Sequence, residues 1–164
     1  MTFILRHPAQ EVQFLKFTGS PTETRPIPAG RLVRLTDDRT VDTVANASDA
    51  TQRAVGWLMQ KVKDPYTDFP AGYVMRGDMG SSDAFVGDPV AVACGQGAIY
   101  ETDQYVDEGS DGISAGTLLY PDDDGKLSDN DADSANQGAV AIALNSLSAA
   151  QAAASEMLLI QALI

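Results

Sequence analysis

The densest set of possible metal ligands in the sequence is the run Asp122-Asp123-Asp124-Gly125-Lys126-Leu127-Ser128-Asp129-Asn130-Asp131, where clustered carboxylates and a glycine supply what an oxygen-liganded cation loop requires. Its register does not match. With Gly125 at the sixth position of a calcium loop, the first is Tyr120 and the twelfth is Asp131 where a glutamate belongs. A hairpin turn is the preferred reading, because Asp and Gly favour turns for backbone reasons. The single histidine, His7, rules out a histidine-based triad or a multi-histidine metal centre within one chain and reads as a surface residue. The single cysteine, Cys94, closes the apolar run Val90-Ala91-Val92-Ala93 and reads as a buried, inert thiol. No Gly-x-Ser-x-Gly elbow, P-loop or Gly-x-Gly-x-x-Gly precedes a helix, and Gly95-Gln96-Gly97 reads as a hairpin turn. Any pair among 23 acids could be drawn for two-carboxylate chemistry, so that signal is not specific. Arg76-Gly77-Asp78 matches an adhesion tripeptide, but three residues match by chance too easily to carry weight. No catalytic residue, no cofactor site and no metal site is expected, and the chain reads as a non-enzyme.

The elements around these residues are organised by one phrase used twice. Ile27-Pro28-Ala29-Gly30-Arg31-Leu32-Val33-Arg34-Leu35-Thr36-Asp37-Asp38 returns as Ile113-Ser114-Ala115-Gly116-Thr117-Leu118-Leu119-Tyr120-Pro121-Asp122-Asp123-Asp124. In each copy a glycine permits a turn, apolar residues fit a half-buried strand, and an acidic cluster turns the chain again. A second short run follows (Thr40–Val44; Lys126–Ser128), then a third that opens on glycine (Gly56-Trp57-Leu58-Met59; Gly138 to Leu144). The run Val55 to Val62 alternates as a single strand would, with Trp57 as a core anchor. Two related three-strand units predict an all-β fold, a compact barrel or sandwich.

Length and composition agree. The 164 residues suffice for one domain with a real core, and 14 Gly and 8 Pro match many short strands joined by tight turns. No stretch approaches the roughly 20 apolar residues that span a bilayer. The first residues lack the apolar core and cleavage site of a signal peptide, so the chain reads as soluble, made in the cytoplasm, with no membrane partner. Charge is uneven: residues 1–76 hold 10 Lys/Arg against 8 Asp/Glu, net +2, and residues 77–164 hold 1 against 15, net -14. An acidic surface repels phosphate backbones, so nucleic acid is not an expected partner.

Residues 1–26 read as an extended N-terminal arm, punctuated by Pro8, Pro21 and Pro26, ahead of a single β-domain over 27–164. The arm carries Phe3, Phe14 and Phe17, each worth about 1.5 to 3 kcal/mol when buried, so it should pack on its own domain or on a neighbouring subunit. A long loop excursion is expected over 64–87, where Pro, Gly, Asp and Ser are dense. Near the C-terminus Ser148 should cap a short helical segment, followed by a closing strand over Met157 to Ile164.

At the two Ala-Gly phrases, Val55-Gly56, Gly87-Asp88-Pro89-Val90 and the Gly138-Ala139-Val140-Ala141 stretch, the sequence resembles the capsid cement, or decoration, proteins of tailed bacteriophages. The resemblance covers roughly 27–164 and leaves out the arm and the 64–87 excursion. It implies a small β-domain in symmetric homo-oligomers, a trimer favoured over a dimer, on the outer surface of the virion capsid. There it would bridge neighbouring major capsid proteins without catalytic residues. Under that reading Phe3, Phe14 and Phe17 are candidate capsid or subunit contacts, with Arg31, Arg34 and Arg39 as partners for capsid acids. The alternative is a carbohydrate- or receptor-binding β-module of a phage tail or adhesin. It would use exposed aromatics among Tyr66, Phe69, Tyr73, Tyr100 and Tyr105.

Overall fold

A computed structural model describes residues 4–7, 11–21, 26–45, 49, 51–63, 83–131 and 137–164, with backbone only at 4–7 and 11–12. The architecture is all-β, as the turn-rich composition predicts. The first part of the chain gives β1 (Ile4–His7), β2 (Glu11–Phe17), β3 (Leu32–Asp37), β4 (Thr40–Thr43), β5 (Ala54–Leu58), β6 (Lys61–Lys63), β7 (Asp83–Phe85) and β8 (Pro89–Cys94). The second gives β9 (Ile99–Thr102), β10 (Tyr105–Val106), β11 (Gly112–Ile113), β12 (Leu118–Pro121), β13 (Leu127–Ser128), β14 (Ala141–Ala143), β15 (Leu147–Ser148), a helix α1 (Ala149–Ala153) and β16 (Leu158–Ala162). Strands β2-β4-β3-β5-β8 close a five-stranded barrel, and β1-β9-β16-β14-β12-β13-β10 form a curled, half-barrel sheet.

The duplicated phrase folds twice into the same arrangement. Each first strand is central, with its hairpin partner on one side and the third strand on the other, all antiparallel. Leu35 faces Val41 and Arg34 faces Asp42 in the barrel; Pro121 faces Leu127 and Tyr120 faces Ser128 in the sheet, at one constant spacing. Gly30 and Gly116 have φ of 88° and 90°, the left-handed region that glycine enters without penalty. Each then starts the same clasp on the third strand. Gly30 N donates to Leu58 O at 2.7 Å and Leu58 N to Arg31 O at 2.8 Å; Gly116 N donates to Ala143 O at 2.8 Å and Ala143 N to Thr117 O at 2.9 Å.

The likeness extends beyond the three strands. β8 joins β5 to β2 as β16 joins β14 to β9. β2 meets β4 in parallel through Phe17 and Val41, and β10 meets β13 in parallel through Tyr105 and Leu127. Only Asp103 and Gln104 separate β9 from β10, so those two strands together occupy the place that β2 fills alone. Thr102, fully buried, accepts a bond from Gln104 N at 3.0 Å and holds that interruption in shape.

Four expectations are corrected or refined. The N-terminal segment is extended but divided between the two bodies: β1 pairs with β9 at the edge of the sheet, and β2 is a barrel wall whose Leu15 and Phe17 face the barrel core. The run from Val55 to Val62 is two strands, broken at Met59-Gln60. It lacks a wet face because β5 is a shared wall, with Leu58 inside the barrel and Trp57 outside it, both at 0 % exposure. The third segment of the second unit begins at Ala141 and not at Gly138, since Ala141 faces Leu119 as Gly56 faces Val33. Gly95-Gln96-Gly97 is no hairpin: the chain crosses from barrel to sheet there, and Gly95 N and Gly97 N donate to Ile164 O and Ala162 O at 3.0 and 2.9 Å. Both glycines have positive φ, so their turn chemistry is used to change partners. Of the excursion over 64–87, residues 64–82 lie outside the described residues; Asp83–Phe85 pairs in parallel with β6, where Lys63 Nζ meets Asp83 Oδ2 at 2.7 Å.

Two cores result. One fills the barrel with Phe17, Val33, Val41, Leu58, Val90 and Val92. The other lines the concave side of the sheet and is closed over by the outer wall of the barrel, through Leu32, Trp57 and Ala93. At this seam the Trp57 and Tyr100 rings lie 5.7 Å apart at 40°, a tilted pair worth about 0.5 to 1.5 kcal/mol beyond area burial. The helix is set as Ser148 predicts, in a capping box with Gln151.

Candidate functional site

The acidic run 122–131 is a turn, and its backbone reaches the other half of the molecule. Asp123–Gly125 makes a short 3-10 turn, and Asp124, at φ 64°, offers its carbonyl to Arg31 Nη1 at 2.6 Å. Arg31 is thus a bridge between barrel and sheet. Burial lowers its pKa, and Asp124, Asp103 and Asp122 pull it back up in that order. Gly125 sits so near Leu32 that an added Cβ would lie 2.5 Å from Leu32 O.

The other arginines named as contacts are more open. Arg34 lies 3.9 Å from Asp42 and donates through Nε to Thr43 O at 3.2 Å, both on the neighbouring strand. Arg39 is exposed at the tip of the first hairpin in the left-handed region, φ 56°, the position that Gly125 fills in the second. Beside it, at the same end of the barrel, Leu35 is 51 % exposed. The three phenylalanines separate: Phe17 is core, Phe14 is 71 % exposed on the outer wall of β2, and Phe3 lies outside the described residues. Among the aromatics proposed for a glycan face, Tyr100 and Tyr105 are buried, and Tyr66, Phe69 and Tyr73 lie outside the described residues. Arg76-Gly77-Asp78 lies outside them as well.

Asp107, Asp111 and Asp129 bring carboxylate oxygens within 4.8 Å of one another. Oxygen donors of this kind suit a hard divalent cation. They also have local work: Asp107 Oδ2 accepts from Gly112 N at 2.9 Å and Asp129 Oδ1 from Glu108 N at 3.1 Å, which ties the 107–112 loop to the end of β13. An open cleft of about 320 Å³ lies at Arg53, Gln137, Gly138 and Ile164. Gln137 there accepts from Ala54 N at 3.3 Å. Among the described residues no helix is long and apolar enough to cross a membrane.

The surface that sequence reading passed over is the convex face of the sheet. Strict alternation puts Leu119, Ala141, Ala143, Leu158 and Ile160 inside and turns Leu118, Ile142, Leu159 and Ile99 outward, with Gln161 between Ile142 and Ile99. Leu118 faces Ile142 across the strands, Leu144 N bonds Leu159 O at 2.8 Å, and Leu159 faces Glu101, so these side chains share one face. Leu118 is 44 % and Leu144 37 % exposed. The signal was present in Leu118-Leu119 and Ala141-Ile142-Ala143, where apolar residues occupy both parities of a strand. Such a pattern ordinarily marks a strand buried on both faces. Comparison with protein-family models and with curated proteins finds no match.

Proposed function

We propose that this protein is an adhesive structural module, a cement protein that binds the outside of a tailed-phage head and bridges neighbouring major capsid proteins. The observation that carries the reading is the pair of large apolar side chains held out on the near-neutral half, Leu35 at 51 % and Phe14 at 71 % exposure, on a barrel whose closed wall keeps them in place. Apolar groups fixed in water gain free energy on contact, and a closed barrel presents them without a bare strand edge that would aggregate. Many copies multiply modest contacts into shell stability. The hairpin end with Leu35 and Arg39 faces the shell in this reading, and the acidic turns of the second half face solvent.

The test is co-sedimentation with tailed-phage heads stripped of their own decoration protein, with occupancy read by densitometry. Point variants are needed here, because any truncation that reaches Phe14 removes the barrel strand β2. Leu35→Asp should lower occupancy at least tenfold while leaving the melting temperature unchanged. Wild-type protein that pellets with no head removes the cement reading. Full occupancy by Leu35→Asp would place the contact elsewhere.

A further inference from the structure

We infer that the convex sheet face around Leu118, Ile142, Leu144 and Leu159 docks a second copy of this chain, taking the Phe14 wall of that copy's barrel. The internal repeat places matching residues on both halves. In the barrel, Leu32 and Trp57 are registered against each other as Leu118 and Ile142 are in the sheet, and both are fully buried at the seam. The sheet keeps the same kind of apolar face at the matching positions and leaves it uncovered, with Leu118 exposed and Ile142 half-buried, in the half of the chain with 15 acids to one base. Aliphatic side chains clustered in so acidic a setting mark a face that is covered in the working state.

Charge decides what covers it. Glu101 lies within the face, directly opposite Leu159. Two copies meeting sheet to sheet across a two-fold would set Glu101 and two halves of net -14 against each other, which like-charge repulsion disfavours. The Phe14 wall has the complementary character. Phe14 and Lys16 both point outward from β2, which gives no described side chain to the seam, and residues 1–76, which supply four of the five barrel strands, carry net +2. Apolar meets apolar and cation meets anion when barrel wall docks on sheet face. The contact is therefore heterologous, one surface against a different one, and its repetition closes into a ring when the rotation allows. This inference rests on the adhesive reading and names one of its partners.

The experiment uses the full-length chain in sedimentation velocity and native mass spectrometry, from nanomolar to high-micromolar concentration, with Phe14→Asp and Leu118→Asp as variants and Leu144→Asp as a second sheet-face variant. Circular dichroism melts check that each folds. Wild type should assemble beyond a dimer or into a closed ring and loosen as salt rises. Each variant alone should be monomeric, and an equal mixture of Phe14→Asp with Leu118→Asp should form a one-to-one heterodimer, because each brings one intact face. A wild type monomeric throughout, a variant that assembles like wild type, or a mixture that stays monomeric overturns the inference; a dimer of Phe14→Asp alone would show sheet-to-sheet pairing in its place. Assembly that persists without binding to any head removes the cement reading and keeps this contact, and monomers that coat heads do the reverse.

Discussion

In the barrel, Leu32 and Trp57 stand side by side against the neighbouring half with no exposure; in the curled sheet, Leu118 and Ile142 stand in the same register on a face open to water. The hydrogen-bonded clasps at Gly30 and Gly116 and the hairpin registers are shared by the two halves, while the neighbours of their outer faces differ. The lesson is that backbone wiring and side-chain environment are set separately. Turn glycines and strand pairing fix where each residue stands, and what packs on the outer face decides whether a leucine there is core or surface.

The comparison breaks most readily at the leucine pair. Leu32→Ala should cost about 2 to 5 kcal/mol, the range for deleting a buried leucine side chain, and Leu118→Ala within about 0.5 kcal/mol, both from urea unfolding at a concentration where the chain is monomeric. Equal losses would mean that the two faces are alike. Next come the hairpin tips. Gly125→Ala forces a methyl group toward Leu32 O at φ 72° and should cost about 1 to 3 kcal/mol. Arg39→Gly at the matching tip already has the backbone its replacement prefers and should shift stability by less than about 1 kcal/mol. A larger effect at Arg39 than at Gly125 would show that the second hairpin is not the one wedged between the halves.

The smallest effect sharpens the comparison through pH. Burial first, with Glu156 and then Asp103 and Asp107, raises the Tyr105 pKa above its usual 10.0, and burial with Cys94 raises that of Tyr100. A raised phenol pKa favours the protonated side chain in the folded state, so its contribution is intact below about pH 10 and is lost as pH climbs through the folded value. Melting temperature should fall on the alkaline side. Tyr105→Phe should flatten that fall while losing the bond that its hydroxyl donates to Glu156 O at 2.7 Å. An unchanged alkaline slope would show that Tyr105 does not contribute to it.

Much of this wiring is legible in the amino-acid order. The twin Ala-Gly phrases predict the two units because glycine at a left-handed φ and an acidic turn are local requirements, met wherever the chain folds. The Ser148 cap and the short helix are local in the same way. Partner choice is not local. Gly95-Gln96-Gly97 has the composition of a hairpin, yet the strands on either side pair with residues far along the chain, so no local pattern could show it. Trp57 and Leu58 defeat alternation for a related reason: a strand shared between two cores has no wet face to mark its period. Among the contact candidates, Phe14 and Phe17 are three residues apart in one strand, and opposite pleat directions place one in water and the other in the core. Reading both as one apolar arm conceals that division.

All five strands of the barrel lie within residues 11–94, so every barrel strand leaves the ribosome before any of β9 to β16. During that interval Leu32, Trp57 and Ala93 form a sticky flank on a nascent chain. Residues 98–162 then arrive as its lid, and the half made second chaperones the half made first.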